Sequence, residues 1–239
     1  MATAPDKSPE RIAGMFDAIA PRYDLLNHLL SAGLDRRWRA AALRSLQLTG
    51  RETLLDVCCG TADVALEGRR SRPAAARVVG VDFSGAMLAR GLQKVTAAGE
   101  AGRITLVRGD AMRVPVADRS VDAVTVAFGI RNVQRPEIAC GEMARMLRPG
   151  GRLAILEFGV PRIPGIKPLY LWYITHVLPR VGRFISGYTA AYSYLPASVG
   201  TFAPPAEFMQ TLRDAGFSDV RADSLTFGIV YLYTARMVA

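Results

Sequence analysis

Cysteine and histidine are the first shortages. Only three cysteines occur in 239 residues, Cys58 and Cys59 adjacent and Cys140 apart. No disulfide framework can staple such a chain, and the C-x-x-C spacing of zinc or redox sites is missing. Two histidines far apart, His28 and His176, offer no metal site. No apolar stretch reaches the roughly 18 residues of a membrane span. The opening MATAPDKSPE has neither the charged start nor the apolar run of a secretory signal. These absences point to the cytoplasm. Glycine is short in one telling place: the turn after the first apolar run holds Gly60 alone, so the G-x-G-x-x-G fingerprint of a nicotinamide dehydrogenase is absent. Acid is missing over a whole segment, with no Asp or Glu from Phe158 to Ala206.

What is present is a chain built for a core. Half the residues are hydrophobic and the mean hydropathy is +0.17, which excludes a disordered or low-complexity protein. The net charge of +9 raises nucleic acid, anionic membrane or an anionic ligand as partners without choosing among them. The acid-free segment is more specific. There Arg162, Lys167, Arg180 and Arg183 are scattered among Leu, Tyr, Trp, Ile and Phe, as on a surface for something greasy, anionic or both.

Residues 9–47 read as helices, with Pro9 in a first turn, Ile12, Met15, Phe16 and Ile19 at helical spacing, and breaks at Pro21 and Gly33. Asp35 is placed as the N-cap of the third helix. From Arg51 short apolar runs (53–57, 77–82, 103–110, 121–129 and 151–159) alternate with helical stretches near 63–71, 84–98 and 135–147. Near-continuous Val/Ile/Leu strands separated by helices imply a parallel sheet covered on both faces, a doubly wound α/β core. An apolar, aromatic, basic insertion over 160–203 interrupts the alternation before a last helix (204–217) and two closing strands.

In such a sheet ligands bind at the carboxyl ends of the strands, near the switch point. The small-residue turn Cys58-Cys59-Gly60-Thr61-Ala62 lets a ligand approach the backbone. Asp82, at the end of the next strand, can accept hydrogen bonds from both hydroxyls of a ribose. Asp110 ends the third strand, where an adenine amino group could be met. In order and spacing, Gly60, Asp82 and Asp110 outline a nucleoside-cofactor pocket. Cys58 and Cys59 read as small packing residues rather than nucleophiles.

The succession D-x-x-x-G-x-x-D, V-D-x-S-x-x-M-L, G-D-A and R-M-L-R-P-G-G resembles class I S-adenosylmethionine-dependent methyltransferases. The stretches from Met15 to His28, Leu34 to Arg39 and Phe128 to Val133, with Glu157-Phe158 and Tyr192 to Ser198, resemble the ubiquinone/menaquinone biosynthesis C-methyltransferase family over nearly the whole chain. The resemblance implies a Rossmann-like sheet of order 3-2-1-4-5-7-6, an N-terminal helical lid (1–50) on a methyltransferase core (51–239), and S-adenosyl-L-methionine as cofactor. It implies contacts to that cofactor from Thr61, Asp82, Asp110 and Ala111, in a pocket with Gly60 and Ala127. Where the family often has G-T-G-D and a serine before F-G-x-R-N, this chain carries Ala62 and Ala127.

The implied substrate is a polyprenylated quinol, such as demethylmenaquinol, or a benzoquinol of the ubiquinone pathway. Its ring carbon becomes a good nucleophile once a neighbouring hydroxyl, with a pKa near ~10, loses its proton. Arg131 suits an oxyanion stabiliser, Asn132 a positioning partner and Tyr23 a lid residue; the competing reading pairs Arg131 with an acid that locks its loop. His28 reads as packed or capping. Trp and Tyr beside Lys and Arg in the insertion suit contact with an anionic membrane surface, against a sheet cover or a homodimer interface. An RNA methyltransferase is disfavoured, since no basic run or appended nucleic-acid module is present. A cofactor-binding regulator without catalysis is a third class.

Overall fold

The computed structural model describes residues 6–71, 74–180 and 189–238, with backbone alone for 189–193; Arg183 lies outside them. Pro9 occupies the first turn of α1 (Pro9–Ile19), where its missing N–H has no partner to lose. A 3-10 turn at Ala20–Arg22 redirects the chain into α2 (Tyr23–Leu30). Gly33, in the left-handed region at φ 77°, then starts α3 (Leu34–Ser45). Asp35 is therefore not the N-cap. It lies inside the first turn, where its buried carboxylate accepts from Ser31 Oγ (2.9 Å), pairs with Arg39 (2.8 Å) and meets His28 Nδ1 (3.1 Å).

Strands β1 (Thr53–Val57), β2 (Arg77–Asp82), β3 (Ile104–Arg108), β4 (Val121–Ala127), β5 (Leu147–Phe158), β6 (Phe217–Leu225) and β7 (Val230–Met237) form one sheet of order β3-β2-β1-β4-β5-β7-β6. Neighbours are parallel except for β7, which runs antiparallel to β5 and β6. Connections from β1 lead to β2 on one side while β4 lies on the other, so strand order reverses there and a crevice opens at the strand ends.

Alternation along each strand feeds two cores. Leu55, Val57, Val124, Val126 and Ile155 pack with Met143 of α6 (Pro136–Met146) and Phe208 and Leu212 of α9 (Pro205–Asp214). On the other face Leu54, Ala123, Ala154 and Leu156 meet Trp38, Ala42 and Leu43 of α3 and Val64 and Ala65 of α4 (Asp63–Arg70). Of the residues expected as a lid, α3 thus belongs to the cover of the sheet. Helices α1 and α2 stand over the strand ends, where Met15, Ile19 and Leu26 pack with Met87 of α5 (Gly85–Ala97), Leu178 and Tyr194. The insertion supplies α7 (Ile166–Trp172), a π turn over Tyr173–Val177 and α8 (Thr189–Thr201). Among the described residues no helix is long and apolar enough to cross a membrane.

Candidate active site

The β1–α4 turn is held in a shape that side chains rarely take: Cys58, Gly60 and Ala62 all have positive φ (57°, 53° and 65°). Such strain persists where surrounding structure over-determines it, and it clusters at ligand sites. Here the Cys59 amide donates to the Val81 carbonyl (3.0 Å) and the Gly60 amide to Asp82 Oδ2 (2.7 Å), tying the turn to the end of β2. The facing loop after β4 repeats the device with Phe128 at φ 61°. Gly129 beside it is obligatory, because a Cβ there would collide with Cys58 Cβ.

These two turns wall a first cavity of about 790 Å³, lined by Gly60, Asp82, Asp110, Ala111, Ala127, Asn132 and Tyr23 among others. Asp82 is its electrostatic centre. Its Oδ1 accepts from the Ser84 amide (2.9 Å), and burial pushes its pKa up against the pull of the backbone amides. Ser84 caps α5 by accepting from the Met87 amide (3.1 Å) and donates to Asp17 Oδ1, which ties α1 to the same helix end. Asp110 Oδ1 accepts from the Met112 amide (2.8 Å). Asn132 Oδ1 is buried with no hydrogen-bond partner among the described residues. Lys7 also lines this cavity, and burial, then Arg131, lowers its pKa. Burial and the carboxylates of Asp56 and Asp82 push the thiols of Cys58 and Cys59 well above their ordinary value, which leaves no nucleophilic thiolate.

Thr61 does not share in this lining. It is buried behind the turn, where its hydroxyl donates to Asp24 and accepts from Lys94 Nζ (3.1 Å). Lys94 also pairs with Asp24 (2.8 Å) and Asp63, so α2 is latched to α4 and α5 through the hydroxyl that the resemblance assigned to the cofactor.

A second cavity, about 1470 Å³, lies between α2, α3 and the insertion, and Phe16, Tyr23 and Phe128 wall both. It is aromatic: Phe128 stacks on Phe158 at 4.5 Å, and Trp38 meets both edge-on. Arg131 lines it, but its cation is already bound. Nη1 lies 2.6 Å from both Glu157 Oε1 and the Phe128 carbonyl, and Nε is 3.4 Å from Ser198 Oγ. The Arg131 amide donates to Glu157 Oε2 (3.0 Å), and Glu157 is fully buried. The loop-locking reading of Arg131 therefore describes the resting geometry. The sequence marks Glu157 only as part of a motif; its partner stands 26 residues earlier, in the 3-10 turn after β4, a distance that no local pattern reveals.

Beneath the turn, Asp56 is fully buried and neither of its carboxyl oxygens, nor Thr125 Oγ1 at the paired position of β4, has a hydrogen-bond partner among the described residues. Burial and then Asp82 raise its pKa well above the ordinary value. A carboxyl whose folded pKa is raised stabilises most fully below its unfolded pKa of about 3.9 and loses that contribution as pH climbs toward the folded pKa. Asp56→Asn is expected to remove the loss: the stability difference between variant and wild type should grow with pH, reaching about 1–3 kcal/mol near neutrality. Urea denaturation at pH 5 and pH 8 checks it; equal differences at both would contradict the reading.

The chemistry of the first cavity fits an adenosyl cofactor: a half-buried carboxylate at the end of the second strand, a further acid after the third, small residues at both turns and an orphaned amide oxygen. A sheet of this order with that pocket at its switch point defines a class I S-adenosylmethionine-dependent methyltransferase. The chain belongs to the ubiE/COQ5 methyltransferase family, whose model matches residues 5–236; it is an S-adenosylmethionine-dependent C-methyltransferase. It is 50% identical over 220 residues to the ubiquinone/menaquinone biosynthesis C-methyltransferase UbiE of Syntrophotalea carbinolica, covering 92% of this chain and 91% of that protein. It is 39% identical over 217 residues to the demethylmenaquinone methyltransferase of Lactiplantibacillus plantarum, covering 91% and 92%. Among solved structures, the [4+2]-cyclase SpnF shares the fold at a TM-score of 0.72 with 19% identity, over 100% of this chain and 98% of that one. Phosphoethanolamine N-methyltransferase 2 of Haemonchus contortus, in complex with S-adenosyl-L-methionine, does so at 0.63 with 16% identity, over 84% and 52%.

Proposed function

We propose that this enzyme methylates a ring carbon of a polyprenylated quinol, demethylmenaquinol in particular. The observation that carries the reading is the second cavity: large, aromatic, and sharing one wall with the cofactor pocket. Stacked Phe128 and Phe158, with Trp38 edge-on, suit the wide face of a fused naphthoquinol. S-adenosyl-L-methionine, when bound, supplies an activated sulfonium methyl. Asp82, Asp110 and the amides around Gly60, with Ala111 and Ala127, hold the adenosyl end. Tyr23, whose pKa is raised by burial, stays protonated and closes the junction of the two cavities. Arg131, held in place by Glu157, steadies the ring oxygen as its proton passes to water, and Asn132 orients that edge of the ring. The alignment of donor and nucleophile and the exclusion of water are the main contributions of the protein.

The prenyl tail needs an exit toward lipid. On α2, Leu26 and Leu30 line the cavity while Leu25 and Leu29 are exposed. On the insertion, Tyr170 and Ile174 line it while Leu169 and Trp172 are exposed. The Tyr173 hydroxyl donates to the Leu30 carbonyl (3.0 Å), which places these two elements side by side. With Lys167 and Arg180 nearby, they form a surface for reversible contact with an anionic membrane at the inner face of the cell.

Transfer of labelled methyl from S-adenosylmethionine to demethylmenaquinol, to a benzoquinol precursor and to bulk RNA tests the assignment. Faster transfer to the naphthoquinol is the expected result; transfer to RNA alone, or to neither quinol, overturns it. Flotation with vesicles should depend on anionic lipid and weaken in Leu169→Asn/Trp172→Asn, and indifference to lipid charge would remove the membrane contact.

A further inference from the structure

Most polar groups on the wall of the second cavity are already committed. Asp35 holds Ser31 and Arg39, Thr226 Oγ1 accepts from Trp38 Nε1 (2.9 Å), and the Tyr173 hydroxyl is bonded to Leu30. Tyr194 differs. Its side chain lines this cavity, and its hydroxyl is buried with no hydrogen-bond partner among the described residues. A buried hydroxyl left unsatisfied is costly, and native structures rarely keep one that nothing completes.

Its place on the helix says what it faces. Tyr194 and Ser198 are four residues apart on α8 and share a face, and Ser198 Oγ is the group that receives Arg131 Nε. Arg131 and Glu157 both act electrostatically on the Tyr194 phenol, and burial raises its pKa, so it is a donor at neutral pH. Asn132 lines the first cavity and Arg131 the second, so the reacting carbon and the oxygen beside it belong at their junction. Tyr194, like Arg131, lines the second cavity and not the first, but Arg131 stands in the loop after β4 that carries Phe128 and Asn132 to the cofactor pocket, whereas Tyr194 is carried by α8 of the insertion.

We propose that the Tyr194 hydroxyl binds the quinol oxygen that lies across the ring from the reacting edge, and so fixes which ring carbon faces the methyl donor. The inference rests on the quinol reading of the second cavity. It assigns Tyr194 a hydrogen bond made only when substrate is present, and it predicts that the phenol is dispensable for folding and for the cofactor.

Tyr194→Phe in the full chain is expected to bind S-adenosylmethionine as wild type does by calorimetry, to melt no lower than wild type without substrate, and to lose about tenfold in kcat/KM on a short-chain demethylmenaquinol. The decisive arm changes the substrate. A prenylated naphthol that keeps the hydroxyl beside the reacting carbon but lacks the one across the ring should be about tenfold poorer for wild type, with no further loss in Tyr194→Phe. The wild-type arm keeps the test sharp even if the variant folds badly. Full activity of Tyr194→Phe on the quinol, or an equal loss on quinol and naphthol, overturns the role of Tyr194 while leaving the substrate reading intact. Failure of wild type to methylate the quinol at all overturns both.

Discussion

Removing the carboxylate of Glu157 is expected to destabilise the enzyme by about 3–5 kcal/mol, among the largest effects any single side chain should show. Glu157 is fully buried and accepts hydrogen bonds from the Arg131 guanidinium, the Arg131 amide and the Phe158 amide (2.6, 3.0 and 2.8 Å). Glu157→Ala strands a cation in a site where water replaces little of the loss, and it frees the loop that carries Phe128 and Asn132. Arg131→Ala should cost a similar amount by leaving the carboxylate unpaired. Replacing both, as Arg131→Met/Glu157→Leu, should recover most of the stability, because a well-packed apolar pair avoids the desolvation of two charges. If Arg131 also steadies a quinolate, that double variant folds and binds cofactor yet stays inactive. Guanidinium unfolding of the four proteins, with turnover measured on each, decides the matter; a cost below about 1 kcal/mol for Glu157→Ala would contradict the buried-pair account.

Asp82→Asn is the second large expectation, and it falls chiefly on binding. The carboxylate organises the cofactor turn from both oxygens, through the Gly60 and Ser84 amides. Its remaining lone pairs are the acceptors proposed for the ribose hydroxyls. Charge-assisted hydrogen bonds contribute about 1.5–3 kcal/mol each. Calorimetry should therefore show a loss on the order of a hundredfold in affinity for S-adenosylmethionine, and because the Asn carboxamide nitrogen cannot accept from the second of the two backbone amides, the free protein should also melt somewhat lower. The pH dependence gives a second signature. Burial raises the Asp82 pKa, so wild-type affinity should decline on the acid side at a higher pH than an exposed aspartate would dictate. In Asp82→Asn that acid limb should vanish.

The sheet was readable residue by residue where local pattern sufficed. β1 and β2 fall on the apolar runs 53–57 and 77–82, since buried parallel strands need near-continuous apolar residues; β1 ends where Cys58 takes a positive φ and β2 at Asp82. β5 was less legible. It starts at Leu147 rather than Gly151 because Leu147 pairs with Val121 before the register shifts, with Arg152 next paired to Ala123, a long-range pairing with no local mark. The cap at α3 was missed because Gly33, with positive φ, competes for the position and frees Asp35 for Arg39. Asp82 and Asp110 stand out in the sequence by their place after apolar runs, and the fold brings both to the wall of the first cavity. The fate of Thr61 and Arg131 depended on Lys94, Asp24 and Glu157, partners more than 20 residues away, and only the folded arrangement brings those charges together.

Phe16, Tyr23 and Phe128 belong to the walls of both cavities, and that double duty sets limits on redesign. A variant intended to accept a bulkier or smaller ring cannot be carved at these three positions without also reshaping the proposed seat of the methyl donor. Leu30, Ile174 and Leu195 border the second cavity alone, and they form the natural set for a mutant library aimed at ring selectivity.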